Sequence, residues 1–236
     1  IIDNDVKVFI LCSPHNPVGR VWTEDELRGL LEICQKHHVT VISDEIHHDL
    51  IIGNRPHIPT AAIDGGKYSD IIITLTAASK TFNLAGMKNS FVIIPGEDLR
   101  RKFDRLAVCL HEDTGNMLGY YAIEAAYTYG REWLDTVISI IRDNYEYVLN
   151  RILTELPKAI LSPLEGTYLA WLDLSGYLGK AEESGMKDFV QEKARLAVDY
   201  GQWFGPGGNG FIRLNLATSP AWVEKAMDGL VKASQS

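Results

Sequence analysis

The chain has 236 residues, 46% of them hydrophobic, enough to bury a real core in one large domain or two smaller ones. Its formal charge of −8 excludes a polyanion partner such as nucleic acid: the one basic cluster, Arg100, Arg101, Lys102 and Arg105, is diluted by Glu97, Asp98 and Asp104 and reads as a solvated helix face. No apolar run reaches the roughly 18 to 20 residues of a membrane span, and three cysteines in apolar contexts, Cys12, Cys34 and Cys109, read as buried thiols in a reducing compartment, the cytoplasm.

The opening residues, IIDNDVKVFIL, lack the basic flank and cleavage site of a signal peptide, and the chain reads as beginning in mid-protein. Val6 to Cys12 is a near-continuous apolar run, expected as a parallel strand covered on both faces. It stops at SPHNPVG, where two prolines and a glycine fix a loop that carries Asn16. Thr23 with Glu26 three residues later forms a capping box, and Leu27, Leu30, Leu31 and Cys34 continue a helix to about His37. His37 and His38 read as residues that cap the carbonyls of that helix. Val39 to Ile42 is the next strand, delivering Ser43, Asp44 and Glu45 at its end; strand, helix and strand make a right-handed parallel unit.

After a loop-rich interval, Ile71 to Leu75 is a third strand, followed by Thr76, Ser79 and Lys80. Phe91 to Ile94 follows too irregular a connection for a helical crossover, so it is expected to pair antiparallel. Residues 97–129 are helical with a break near 112–115, and Glu132 to Leu156 is one long amphipathic helix stopped by Pro157. Thr167 to Leu172 is a strand, Met186 to Tyr200 a helix, Phe211 to Ala217 a strand, and Ser219 with Pro220 caps a last helix. The glycine-rich 205–210 precedes a strand, so it lets the backbone turn before Arg213 and does not cradle phosphate. The expected division is 1–130, a partial large domain, and 131–236, an interdomain helix with a smaller α/β domain.

Ligands of open α/β sheets bind beyond the carboxyl ends of the strands. Three such ends carry Asn16, Asp44 and Lys80, which converge if the strands are neighbours about 4.8 Å apart. A lysine can bond covalently to an aldehyde cofactor, an aspartate can keep a pyridinium nitrogen protonated, and an asparagine can donate to a phenolate oxygen of the same ring. These are the requirements of pyridoxal 5′-phosphate (PLP).

The strings SPHNPVGRVW, SDEIHHDL, TAASKTFNLAG, EGTYLAWLD and GFIRLNLA resemble the fold-type I PLP enzymes of the aminotransferase class I/II superfamily, and more narrowly its cystathionine β-lyase branch, the MalY/PatB-like group that includes cystalysin. The resemblance covers almost the whole chain. It implies a partial, mostly parallel three-layer α/β/α large domain followed by a smaller C-terminal α/β domain. Lys80 matches the Schiff-base lysine, Asp44 the partner of the pyridine nitrogen, Asn16 the asparagine of the NPxG loop, and Arg213 the arginine that grips the substrate α-carboxylate. His47 stands where the wider superfamily has a tyrosine that reaches the phenolate. Lys88 replaces a frequent phosphate-binding arginine and Ala77 a frequent serine, so phosphate anchoring is expected to fall on Ser79, Lys88 and groups outside this chain. The family's N-terminal segment is missing, which marks the chain as a C-terminal portion. Tyr168 is a further candidate for substrate contact, whereas Trp22, Trp133 and Trp222 read as packing residues.

The implied activity is carbon–sulfur β-elimination from a small sulfur-containing amino acid such as cystathionine, with a homodimer expected from the family. An aminotransferase is the alternative, since it needs the same Lys80, Asp44 and Arg213. A non-catalytic regulatory protein on the same fold is a remoter one. The DEIHHD segment also raises a metal hydrolase, but adjacent His47 and His48 point in different directions, so no metal is expected.

Overall fold

A computed structural model describes residues 5–111, 114–178 and 183–235. The chain separates into two compact units, one formed by Ile1–His15 with Val21–Leu134 and the other by Asn16–Arg20 with Asp135–Ser236.

The first unit holds a sheet in the order β1 (Val8–Cys12), β2 (Thr40–Asp44), β3 (Ile72–Thr76), β4 (Phe91–Ile93). The first three strands are parallel and β4 is antiparallel to β3, as the irregular connection predicts. Helix α1 (Glu24–Lys36) joins β1 to β2. Its capping box is present: the Glu26 N–H donates to Thr23 Oγ1 at 3.2 Å and the Thr23 N–H to Glu26 Oε2 at 2.9 Å. The apolar stripe Leu27, Leu31 and Cys34 packs on Leu11, Val39, Val41, Ile63, Tyr68 and Ile72, which forms the core on one side of the sheet.

The other side departs from expectation. Val8 and Ile10 of β1 are exposed, Ile10 by 71%, and all three β4 residues are exposed. The strands carry apolar residues on both faces; on the face away from α1, Ile42, Ile73 and Leu75 are half-buried while Val8 and Ile10 are exposed. Cys34 is buried as expected, but Cys109 on α3 (Glu97–Leu110) is exposed. A second helix, α4 (Met117–Tyr129), follows; the predicted break falls between the two, and residues 112 and 113 lie outside the described residues. One further element of this unit, α2 (Ala78–Thr81), is a single turn between β3 and β4.

The long helix α5 (Arg131–Glu155) leads into the second unit. There β5 (Ile160–Leu161), β6 (Leu169–Asp173), β8 (Phe211–Asn215) and β7 (Asp199–Tyr200) form an antiparallel sheet in that order. Leu172, Ile212, Ile141, Val148, Met227 and Leu230 are fully buried. Asn144, buried in α5, donates from Nδ2 to the Leu216 and Thr218 carbonyls, both at 2.9 Å, and so anchors the chain leaving β8. Helix α8 (Pro220–Ser234) has proline in its first turn, but Ser219 makes no side-chain cap bond.

The predicted helix from Met186 to Tyr200 is not continuous. Helix α6 (Ser175–Leu178) and α7 (Glu183–Lys187) precede a wide π-helical turn over Asp188–Lys193. Met186, Phe189, Val190 and Ala194 do bury one helical stripe, but Arg195 at φ 60° breaks it, and Asp199 and Tyr200 are drawn out to pair with Arg213 and Ile212. Sheet pairing overrides the local period there. Gly205 at φ 123° and Gly210 at φ 86° provide the turn expected before β8.

Candidate active site

The parallel register places Cys12 beside Asp44 and Asp44 beside Leu75, so the three parallel strands of the first unit end within a residue of one line. Two backbone bonds continue the pairing past it, from Ser13 N to Asp44 O at 3.0 Å and from Glu45 N to Leu75 O at 2.8 Å. Asp44 Oδ1 accepts the Ile46 N–H at 3.2 Å, and Oδ2 takes no hydrogen bond among the described residues.

Glu45, 4% exposed, is held from three sides. Ser43 Oγ and the Thr60 N–H donate to Oε1, both at 2.9 Å, and His57 Nε2 lies 2.9 Å from Oε2. Burial raises its pKa, but the bonds from His57, Thr60 and Ser43 outweigh it and hold the carboxyl below the usual range. This network fixes the backbone next to Asp44 and joins β2 to the 57–60 segment.

Lys80 sits in α2, whose turn is closed by bonds from Phe82 N to Ala78 O at 2.9 Å and from Leu84 N to Ser79 O at 3.0 Å. Lys80 and Ser79 are half-buried, and neither side chain takes a hydrogen bond or ion pair among the described residues. An uncommitted amine at the end of β3, a carboxylate with one uncommitted oxygen at the end of the adjacent β2, and a hydroxyl on the lysine's own turn fit an aldehyde-bearing pyridine phosphate. His47 is buried, 1% exposed, close in sequence to Asp44. Lys88 is exposed, at φ 53°, after a short 3-10 turn over Ala85–Met87.

In the second unit, β8 positions Arg213 between Asp199 on β7 and Trp171 on β6. Its Nε and Nη2 donate to Asp199 Oδ2 at 3.1 and 2.5 Å, and its Nη1 to Asn16 Oδ1 at 2.6 Å. The Phe204 ring lies 4.7 Å from the guanidinium carbon. Asn16 belongs here because its loop is tethered here: Gly19 O accepts the N–H groups of Glu165 at 2.8 Å and Gly166 at 2.9 Å. The Asn16–Pro17 bond is cis. Burial pushes the Tyr168 phenol up, opposed by the charge of Arg213. Arg213 and Asp199 also border a cavity of about 460 Å³ with Trp203 and Trp222 on its wall.

The predicted site residues thus fall into two sets, Asp44, His47, Ser79, Lys80 and Lys88 in the first unit and Asn16 with Arg213 in the second. Sequence reading overlooks Asp49, Thr81 and Tyr127, and weighs His48 only as a metal ligand. Thr81 Oγ1 and Tyr127 OH both donate to Asp49 Oδ2, at 2.8 and 2.9 Å. His48 Nε2 lies 3.3 Å from Asp49 Oδ1, and its Nδ1 lies 2.9 Å from Thr76 Oγ1. The SDEIHHDL string contains two of these residues, but their partners stand as far as 78 positions away. It also overlooks Asp199. Among the described residues no group of three or more His, Cys, Asp or Glu is disposed to hold a metal, and no helix is long and apolar enough to cross a membrane.

A sequence profile described as aminotransferase class I and II matches residues 2–230. The chain is 41% identical over 239 residues to cystathionine beta-lyase PatB of Bacillus subtilis, covering 99% of this chain and 59% of that protein. It is 34% identical over 232 residues to protein MalY of Escherichia coli, covering 97% of this chain and 57% of that one. The PLP-containing crystal structure of cystalysin from Treponema denticola superposes with a TM-score of 0.90 at 38% identity, over 97% of this chain and 57% of that one. The chain therefore spans less than two thirds of the relatives it matches, and its fold is that of the PLP-dependent structures.

Proposed function

Because the chain belongs to the aminotransferase class I and II family, we propose that the protein carrying it is a PLP-dependent carbon–sulfur β-lyase, which converts a cystathionine- or cysteine-type amino acid to a thiol, pyruvate and ammonia. The observation that carries this reading is the amine of Lys80 on the turn that follows β3, uncommitted among the described residues and one strand from Asp44. Similarity to PatB and cystalysin favours the lyase over amino transfer.

When bound, the cofactor supplies an electron sink for the pair left by the departing α-proton. Lys80 would hold the cofactor covalently, and its Nζ, once free, would take the α-proton of the substrate. Asp44 keeps a proton on the ring nitrogen through the carboxylate oxygen that Ile46 leaves uncommitted. Asn16 and His47 would be the donors to the ring oxygen, and Ser79 with Lys88 would hold the phosphate. Arg213 binds the substrate α-carboxylate, and its orientation is set in advance by Asp199 and Asn16. The α-proton goes to Lys80, the β-carbon–sulfur bond breaks with its electron pair going to sulfur, and the departing thiolate takes the proton back from Lys80 to leave as the thiol. Water then hydrolyses the released enamine to pyruvate and ammonia.

In this reading residues 1–130 are part of the cofactor-binding domain and 131–236 the interdomain helix and small domain. A cytoplasmic homodimer accords with the free thiols and the family. The experiment is to incubate the purified protein with PLP and L-cystathionine. Release of pyruvate and homocysteine is expected; transfer of the amino group to a keto acid without pyruvate would overturn the lyase reading.

A further inference from the structure

We infer that Asp49 is a positioning residue: it ties down the last residue of the Lys80 turn and so aims the lysine without engaging it. The inference rests on the proposed role of Lys80 as the residue that holds PLP.

The turn needs outside support. Helix α2 is four residues long, far too short to be stable by itself, and Ala77 at its start offers no side-chain cap. Both of its ends are tied to neighbouring residues of the segment after β2. Before the turn, Thr76 Oγ1 lies 2.9 Å from His48 Nδ1; at its last residue, Thr81 Oγ1 donates to Asp49 Oδ2 at 2.8 Å. His48 and Asp49 are adjacent in the chain, with Nε2 of the one 3.3 Å from Oδ1 of the other, so the backbone between them completes the ring from Thr76 to Thr81. Helix α4 secures Asp49 in turn, since Tyr127 OH donates to the same Oδ2 at 2.9 Å. Burial and the charge of Asp49 both push the Tyr127 phenol up, so it stays a donor.

The ring brackets Ala77 to Lys80 and leaves the lysine out of every bond in it. A carboxylate paired directly with Lys80 would hold the ammonium charged and occupied. Asp49 acts through Thr81, which is completely buried, and so fixes the lysine's backbone while Nζ stays uncommitted.

The test compares Thr81→Val, Thr81→Ser and Asp49→Ala with the unaltered protein. Hydrogen exchange is followed without cofactor at the Phe82 and Leu84 amides, which close the turn, with the α1 amides as reference. PLP attachment is then trapped with borohydride. Exchange about tenfold faster at Phe82 and Leu84 is expected in Thr81→Val and Asp49→Ala, with α1 unchanged and Thr81→Ser as slow as the unaltered protein. The same two variants should trap PLP at Lys80 more slowly. Because Thr81→Val preserves shape, it decides the matter should Asp49→Ala fail to fold. Wild-type exchange in Thr81→Val, or equal loosening in Thr81→Ser, would overturn the inference. PLP trapped on a different lysine would instead overturn the cofactor reading, whatever the exchange rates.

Discussion

Lys80 and Arg213 are both half-buried cations at a strand or just beyond one, and they are treated in opposite ways. Lys80 takes no hydrogen bond or ion pair among the described residues, although its turn is tied at both ends. Arg213 is committed through Nε, Nη1 and Nη2 to Asp199 and Asn16. The difference suits what each group would do in the proposed function. A nucleophile and base has to be uncommitted, so its backbone is fixed and its amine left alone. A carboxylate clamp stays charged throughout, so its plane can be fixed directly by acceptors that leave part of the fork for a ligand.

The strongest way to break this comparison is to remove the uncommitted amine. Lys80→Ala is expected to lower kcat by about a thousandfold or more and to abolish covalent trapping of the cofactor. A change at Arg213 should act on binding instead: Arg213→Lys keeps the charge but loses the planar fork, and a rise in KM of about 10- to 100-fold is expected, with a smaller change in kcat. Steady-state kinetics of both variants separates the two roles. Asp199→Asn sharpens the point, because it leaves Arg213 in place and removes only the charge that orients it. A KM increase of about threefold to tenfold is expected, and an unchanged KM would show that Asn16 suffices to orient the arginine.

The smallest effect concerns stability. Glu45 has a folded pKa below its unfolded value, so its contribution is fully present above the unfolded carboxyl pKa of about 4.3 and is lost as pH falls through the folded value. Glu45→Gln should therefore cost about 1–3 kcal/mol at pH 7 and flatten the loss of stability below about pH 4.3. Urea unfolding midpoints at the two pH values measure both.

Much of the first unit is legible in the sequence, for local reasons. Thr23 and Glu26 announce α1, the apolar runs announce β1 to β3, and the broken connection after Thr76 announces an antiparallel β4. The Lys80 turn stands out for the same reason: its small and polar residues interrupt two apolar runs. What stays hidden depends on distant partners. Asn16 follows β1 in sequence, yet it groups with Arg213, which is 197 positions away, because Gly19 is tethered to Glu165 and Gly166. Asp49 looks like one more polar residue of SDEIHHDL until Thr81 and Tyr127 are brought to it. Met186 to Ala194 keeps a helical stripe, and no local signal shows that Asp199 will leave it to pair with β8. Val8 and Ile10 read as core, although both are exposed.

Whether Lys80 is the amine that holds the cofactor can be read from a single peptide. The purified protein is mixed with PLP, reduced with borohydride, digested and mapped by mass spectrometry. A phosphopyridoxyl group on Lys80 alone is the predicted result; the group on any other lysine, with Lys80 unmodified, would contradict the account.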